Sequence, residues 1–331
     1  MDIMTQWVLN MPEEIKGAVE IFNAFKIPDF SFKNIILLGT GGGSRTTFDL
    51  ISAFLFDKLK FPLVIHQGYH IPNFVNEETL SIVMSYSGKT EETLSALSHV
   101  IGKTKKIIII TSNGEMESIS REKSLPVLRV PYGFEARSAI PYLFFPLLLI
   151  LSSYQNLDVT NEIEETISVL KSERETISFD EIRSVSEKIK GKIPFIYGSY
   201  GFSDSLSLRF RRQLAENGKT LSHSNIIPNM HHDEIVGFMD REILPFIIPV
   251  FLRDYFEEEK IKKRFDITKE IFEGMGIDCL EIYPLAKGGK LSRMFSMLFK
   301  IDLISIDYGK LRGFNPKDVS IISLLKEKME E

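Results

Sequence analysis

The chain predicts an α/β fold of two doubly wound domains, each built on a parallel sheet, with helices closing the C-terminus. Three stretches carry that expectation. In each, a short apolar run meets a loop of glycines and serines, and apolar residues at helical spacing come next. The first is Ile35-Ile36-Leu37-Leu38 before Gly39-Thr40-Gly41-Gly42-Gly43-Ser44. The second is Leu80-Ser81-Ile82-Val83-Met84 before Ser85-Tyr86-Ser87-Gly88-Lys89-Thr90-Glu91-Glu92-Thr93. The third is Ile193-Pro194-Phe195-Ile196-Tyr197 before Gly198-Ser199-Tyr200-Gly201-Phe202-Ser203. An apolar run suits a strand buried on both faces of a parallel sheet, and a strand, loop and helix in succession make up a βαβ unit. The third stretch echoes the first at low identity, which reads as a duplicated half.

Taken in order, residues 5–26 read as a helix, because Trp7, Val8, Met11, Ile15, Val19, Phe22 and Phe25 recur at helical spacing. Leu63-Val64-Ile65-His66 is a second strand, and residues 106–111 are another, ending in the turn signal Ser112-Asn113-Gly114. Residues 125–130 suit a short edge strand. Residues 140–151 are the most apolar segment, shorter than the ~20 residues of a membrane span and interrupted by Pro141 and Pro146, so they read as a buried helix. Residues 155–192 are charged and read as a solvated helix or pair. Further strands are expected at 244–251 and 279–282, and helices at 291–303 and 319–329. The division between domains is expected at 152/153, giving 1–152 and 153–331.

Composition narrows the function. A net charge of −5 over 331 residues argues against a protein whose task is to bind nucleic acid. The one cysteine, Cys279, leaves no partner for an intrachain disulfide and no cysteine zinc site. No basic region followed by an apolar stretch opens the chain, so no signal peptide and no membrane association are expected, and the cytoplasm is the expected compartment.

The chemistry-bearing stretches each admit two readings. Ser85, Ser87, Thr90 and Gly88 at the mouth of a helix suit a phosphate cradle of hydroxyls, backbone N–H groups and the positive helix end; they also suit a serine-rich turn capped by Ser87 or Thr90. The Gly39–Ser44 loop lacks the third glycine of a dinucleotide fingerprint and the acidic residue ~20 positions on, and no Gly-Lys-Ser/Thr makes it a P-loop, so it fits a loop approaching a phosphate or sugar. Glu216 stands near the end of an apolar helix, where the negative helix end would raise its pKa and suit a general base; it also fits a surface carboxylate paired with Arg212. Met230-His231-His232-Asp233-Glu234 offers a histidine for proton transfer or a surface turn, and its adjacent residues are poorly spaced for a metal.

These motifs together resemble the archaeal bifunctional phosphoglucose/phosphomannose isomerases, built from two sugar isomerase (SIS) domains. The resemblance runs through the Gly39–Ser44 loop, the 85–93 motif, Glu135-Ala136-Arg137-Ser138-Ala139, Glu216-Asn217-Gly218-Lys219, residues 229–234, Leu291-Ser292-Arg293 and the terminal Leu324-Leu325-Lys326. It implies a homodimer that interconverts glucose 6-phosphate or mannose 6-phosphate with fructose 6-phosphate through a cis-enediol, with no metal or other cofactor. It implies that Ser85, Ser87 and Thr90, with Gly42, Gly43 and Ser44, hold the sugar phosphate. By the same resemblance Arg137 stabilises the enediolate oxygens, Glu216 moves the proton between C1 and C2, His232 of a neighbouring subunit assists ring opening, and Lys326 supports it. The chain departs from the family's Gly-Met-Gly-Gly-Ser-Gly, since Thr40 replaces the methionine and Gly43-Ser44 inverts the Ser-Gly order. His231 is an extra histidine, and residues 302–310 also depart from the family pattern. Two other readings are a phosphosugar-sensing regulator without catalysis, which would need the 85–90 loop but not Glu216 or Lys326, and an isomerase of another phosphosugar.

Overall fold

The structure, a computed structural model, describes residues 1–330. The chain forms two compact units, one of Asn10–Ile167 and one of Met1–Leu9 with the chain from Ser168 onward. Helix α1 (Ile3–Leu9) belongs to the second of these and α2 (Met11–Ala24) opens the first. The sequence reads these as one helix, but they part at Asn10, with Pro12 in the first turn of α2. Proline lacks an N–H and its ring clashes with the carbonyl four residues back, so it starts a helix rather than continuing one.

The first unit then runs β1 (Asn34–Leu38), α3 (Gly41–Leu55), β2 (Leu63–His66), β3 (Thr79–Met84), α4 (Glu91–Ile101), β4 (Ile107–Thr111), α5 (Glu115–Glu122), β5 (Val127–Arg129) and α6 (Ile140–Ser153). Its sheet has the order β2-β1-β3-β4-β5 with every pairing parallel. Every residue of β3 and β4 is buried, as the apolar runs require. Ala96, Leu97 and Val100 of α4 and Met116 of α5 pack on Ile36, Leu38, Val83, Ile107 and Ile109. Helix α6 packs against α2 and α3 and is almost wholly buried, with Pro141 in its first turn and Pro146 within it. Among the described residues no helix is long and apolar enough to cross a membrane.

Helix α7 (Thr160–Thr176) carries the chain from one unit into the other, later than the expected 152/153. The second unit continues with α8 (Phe179–Ile189), β6 (Ile193–Ser199), α9 (Ser203–Glu216), β7 (His223–Ile227), β8 (Ile247–Leu252), α10 (Glu259–Gly274), β9 (Leu280–Ile282), α11 (Lys290–Leu311) and α12 (Ser320–Glu330). Its sheet is also parallel, in the order β7-β6-β8-β9. An aromatic cluster of Tyr197, Phe238, Phe251, Phe265 and Phe272 fills one side. Strand β7 escapes the sequence reading because it is an edge strand whose first residues are polar, with His223 exposed and Ser224 and Asn225 only partly buried. The solvated reading of 155–192 fails at Glu173. This residue is 5% exposed and accepts a hydrogen bond from Ser296 Oγ at 2.5 Å, and burial pushes its carboxyl up to about 7.

Candidate active site

In the first sheet the strand order reverses between β1 and β3, and ligands of open α/β sheets bind outside the carboxyl ends of the strands at such a switch point. Both glycine/serine loops stand there. Helices α3 and α4 start at these loops with Thr40 and Thr90 as N-caps, and neither cap side chain bonds the helix. The N–H groups of the first turns are thereby left to water or a ligand, at the positive helix ends.

The β1–α3 loop is held by close approach. A Cβ on Gly39 would lie 2.4 Å from the Met84 carbonyl oxygen, and the buried Ser44 hydroxyl donates to that same oxygen at 3.0 Å. A Cβ on Gly43 would lie 2.7 Å from the Ala136 carbonyl oxygen and 3.0 Å from Leu143 Cδ1. The inverted Gly43-Ser44 order therefore has a packing reason: position 43 has no room for a side chain, and Ser44 ties the loop to the end of β3. Gly42 sits in the first turn of α3.

The second loop is organised by its own hydroxyls. Ser85 is 1% exposed, its Oγ lies 2.9 Å from Thr90 Oγ1, and it accepts from the Gly88 N–H at 3.1 Å. The exposed Ser87 accepts from the Lys89 N–H at 3.3 Å. Thr90 takes the N-cap position, as one of the two readings expects, but spends its hydroxyl on Ser85 rather than on the helix.

Tyr86, to which the sequence reading assigns no role, organises the segment after β5. Its hydroxyl donates to the Pro131 carbonyl at 3.0 Å and accepts from the Phe134 N–H at 2.9 Å, fixing the loop that leads into Arg137. Arg137 is 3% exposed in a single 3₁₀ turn, with its guanidinium 3.4 Å from Glu135 Oε2. Because Ala136 abuts Gly43, the Arg137 turn and the β1–α3 loop share one edge of the sheet. The structure thus brings Gly42, Gly43, Ser44, Ser85, Ser87, Thr90 and Arg137 to one switch point.

In the second unit Glu216 ends α9, and its carbonyl accepts from Lys219 Nζ. The next residues are clamped to α11. The fully buried Asn217 donates from Nδ2 to Ser305 Oγ at 3.0 Å, and a Cβ on Gly309 would lie 2.2 Å from the Asn217 carbonyl oxygen. One turn earlier on α11, Asp302 holds α9 through Arg209, with Nε at 3.0 Å and Nη2 at 2.6 Å, both residues buried. Residues 302–310, singled out for departing from the family pattern, therefore hold the end of α9 that carries Glu216.

His232 is exposed in the 3₁₀ segment after β7. Its neighbour His231 bonds Thr268 Oγ1 at 2.7 Å, and burial with the Arg264 charge lowers its pKa. Glu234 of the same motif accepts from Tyr197 Oη at 2.6 Å and pairs with His223 at 3.0 Å. Lys326 is exposed on α12. Glu216, His232 and Lys326 thus stand on three separate elements of this unit. Among the described residues no group of three or more His, Cys, Asp and Glu side chains is arranged to hold a metal.

Comparison with known proteins places this geometry in a family. Residues 180–329 match the family described as bacterial phospho-glucose isomerase C-terminal SIS domain. The chain is 32% identical to a bifunctional phosphoglucose/phosphomannose isomerase of Caldicellulosiruptor bescii, over 99% of each chain. It is 28% identical to one of Aquifex aeolicus, over 96% of this chain and 99% of the relative. Among solved structures, a glucosamine-6-phosphate deaminase of Thermotoga maritima shares the fold at a TM-score of 0.70 and 19% identity, over 95% of this chain and 96% of that one. The chain belongs to the bifunctional phosphoglucose/phosphomannose isomerase family, and it is an isomerase built from tandem SIS domains.

Proposed function

We propose that the protein interconverts glucose 6-phosphate, mannose 6-phosphate or both with fructose 6-phosphate through a cis-enediol, as a homodimer and without a metal. One observation carries this reading: two helix N-termini without side-chain caps, the Ser85–Thr90 hydroxyl pair and the buried Arg137 share one switch point. Hydroxyls and free N–H groups suit a phosphate, and a fixed guanidinium suits charge that develops on oxygens in the transition state.

In this reading Ser85, Ser87 and Thr90 hold the phosphate, with the backbone of Gly42 and Gly43. Ser44 supports them by holding its loop against Met84. His232 and Lys326 assist the transfer of a proton from the C1 hydroxyl to the ring oxygen, which opens the ring. The Glu216 carboxylate then removes the C2 proton of the aldose, leaving a cis-enediolate with its charge on O1, and the O2 proton passes to O1, moving the charge to O2; Arg137 stabilises the charge on both oxygens. Returning the proton from Glu216 to C1 of this enediolate, as O2 becomes the carbonyl oxygen, yields the ketose. Because the enediol has lost the C2 configuration, reprotonation at either face of C2 accounts for both aldoses.

A coupled assay over glucose 6-phosphate, mannose 6-phosphate, glucosamine 6-phosphate and ribose 5-phosphate tests the reading. Formation of fructose 6-phosphate from glucose or mannose 6-phosphate is the expected result. Turnover of only the amino sugar or the pentose would replace the substrate assignment, and tight binding without turnover would favour a sensor.

A further inference from the structure

The amino-terminal ends of β6, β8 and β9 lie side by side, since β8 is the strand between the other two. A cavity of about 770 Å³ opens at that edge. Leu244, Ile248, Met275, Ile277 and Leu280 give it an apolar lining. Its charged lining is mostly cationic: Lys188 comes from the last turn of α8, Lys192 from the turn before β6 and Arg241 from the loop before β8, against a single acid, Asp278. Lys192 Nζ donates to the Pro245 carbonyl, joining the turns that precede β6 and β8. Among the described residues none of the three cations has a carboxylate partner.

Three cations against one acid, in a chain of net charge −5, concentrate positive potential over one concave surface. The volume falls within the ~300–1,000 Å³ typical of small-molecule sites. Ligands of open α/β sheets bind at the carboxyl edge, and this cavity lies at the opposite edge of the second sheet. Two lysines and an arginine suit the oxygens of a phosphate. Beside the cations, Leu244, Met275 and Leu280 offer a face on which an apolar body can lie out of water.

We propose that this cavity is a second binding site, separate from the isomerase chemistry, for a small phosphate monoester with an apolar body. The phosphate rests on Lys188, Lys192 and Arg241, and the apolar body lies on Ile248, Met275 and Leu280. The assignment stands independently of which sugar phosphate the protein isomerises.

Met275 supplies a local reporter. Its methyl resonance, identified by its loss in Met275→Leu, is followed in carbon-13 methyl spectra of the full chain during titration with phenyl phosphate. A saturable shift is expected, with phenol and inorganic phosphate each binding at least tenfold more weakly. Lys188→Glu/Arg241→Glu turns a lining of net +2 into net −2 and touches neither the Lys192 bond nor the catalytic residues. In that variant phenyl phosphate should bind at least tenfold more weakly, with the phosphosugar turnover and the other methionine resonances unchanged. The milder Lys188→Gln/Arg241→Gln should weaken it by an intermediate factor. No saturable Met275 shift in the parent protein, or an unaltered midpoint in the charge-reversed variant, overturns the proposal.

Discussion

Gly88 and Asn113 approach so closely that a methyl group between them has no place: a Cβ on Gly88 would lie 1.8 Å from the Asn113 carbonyl oxygen. Gly88 also has φ +63°, a conformation that L side chains rarely adopt. Its N–H is the one that Ser85 Oγ accepts, so moving this backbone moves the centre of the proposed phosphate cradle. Gly88→Ala should cost more than about 1 kcal/mol in strain and raise KM for the sugar phosphate at least tenfold. Steady-state kinetics and urea unfolding measure the two effects, and an unchanged KM would remove this loop from phosphate binding.

Ser44 makes a contact that recurs in the second unit. It donates to the Met84 carbonyl at the end of β3 at 3.0 Å, and Ser203 donates to the Leu252 carbonyl at the end of β8 at 2.8 Å. In both units a serine in the first turn of the helix after the first sheet strand ties that helix to the neighbouring strand. Ser44→Ala leaves the Met84 carbonyl without this partner and should destabilise by about 1–3 kcal/mol, with KM raised only a few-fold and kcat retained. A large stability loss and a modest KM change identify a support. A hundredfold rise in KM at unchanged stability would instead make Ser44 a direct phosphate ligand.

Glu14 of α2 is 1% exposed, and among the described residues neither of its carboxyl oxygens has a hydrogen-bond partner. Burial, with the nearby Glu13 charge, pushes its pKa up from 4.5 to about 8. The folded state therefore holds a proton there that the unfolded chain releases near pH 4.5, and the resulting stability is full below pH 4.5 and lost as pH rises toward 8. The slope across that window approaches about 1.4 kcal/mol per pH unit. Glu14→Gln should flatten it and raise the urea midpoint at pH 8 more than at pH 5. Parallel midpoint curves for the two proteins would refute the buried neutral carboxyl.

Legibility in the sequence depends on how many residues each feature recruits locally. The central strands β1, β3, β4 and β8 can be read because strands buried on both faces need unbroken apolar runs. β7 cannot, since an edge strand tolerates His223-Ser224-Asn225. The serine loops announce themselves by composition, but the role of Ser44 depends on the distant carbonyl of Met84, and that of Tyr86 on Pro131 and Phe134. Glu173 reads as one more charge in a polar helix; only folding brings Ser296 to it and removes its water. Glu216 lies within a readable motif, whereas the α11 contacts through Asp302 and Ser305 depend on pairings across most of a domain.

The α11 clamp permits a test of Glu216 that separates chemistry from position. Glu216→Gln keeps the shape of the side chain and removes the proposed base, so kcat should fall by at least 10³ while a phosphosugar inhibitor binds nearly as before, a drop of roughly 4 kcal/mol in transition-state stabilisation. Asn217→Ala acts one residue away. It deletes the buried bond to Ser305 that fixes the end of α9, leaving the carboxylate in place but less well held. Here kcat should fall about tenfold with KM little changed, because misplacing a base costs rate before it costs binding. The pH profile distinguishes the two: Asn217→Ala keeps the acid limb of a titrating base, and Glu216→Gln loses it. Full activity in Glu216→Gln would transfer the proton abstraction to another residue, and an Asn217→Ala loss confined to KM would show that the clamp serves binding instead.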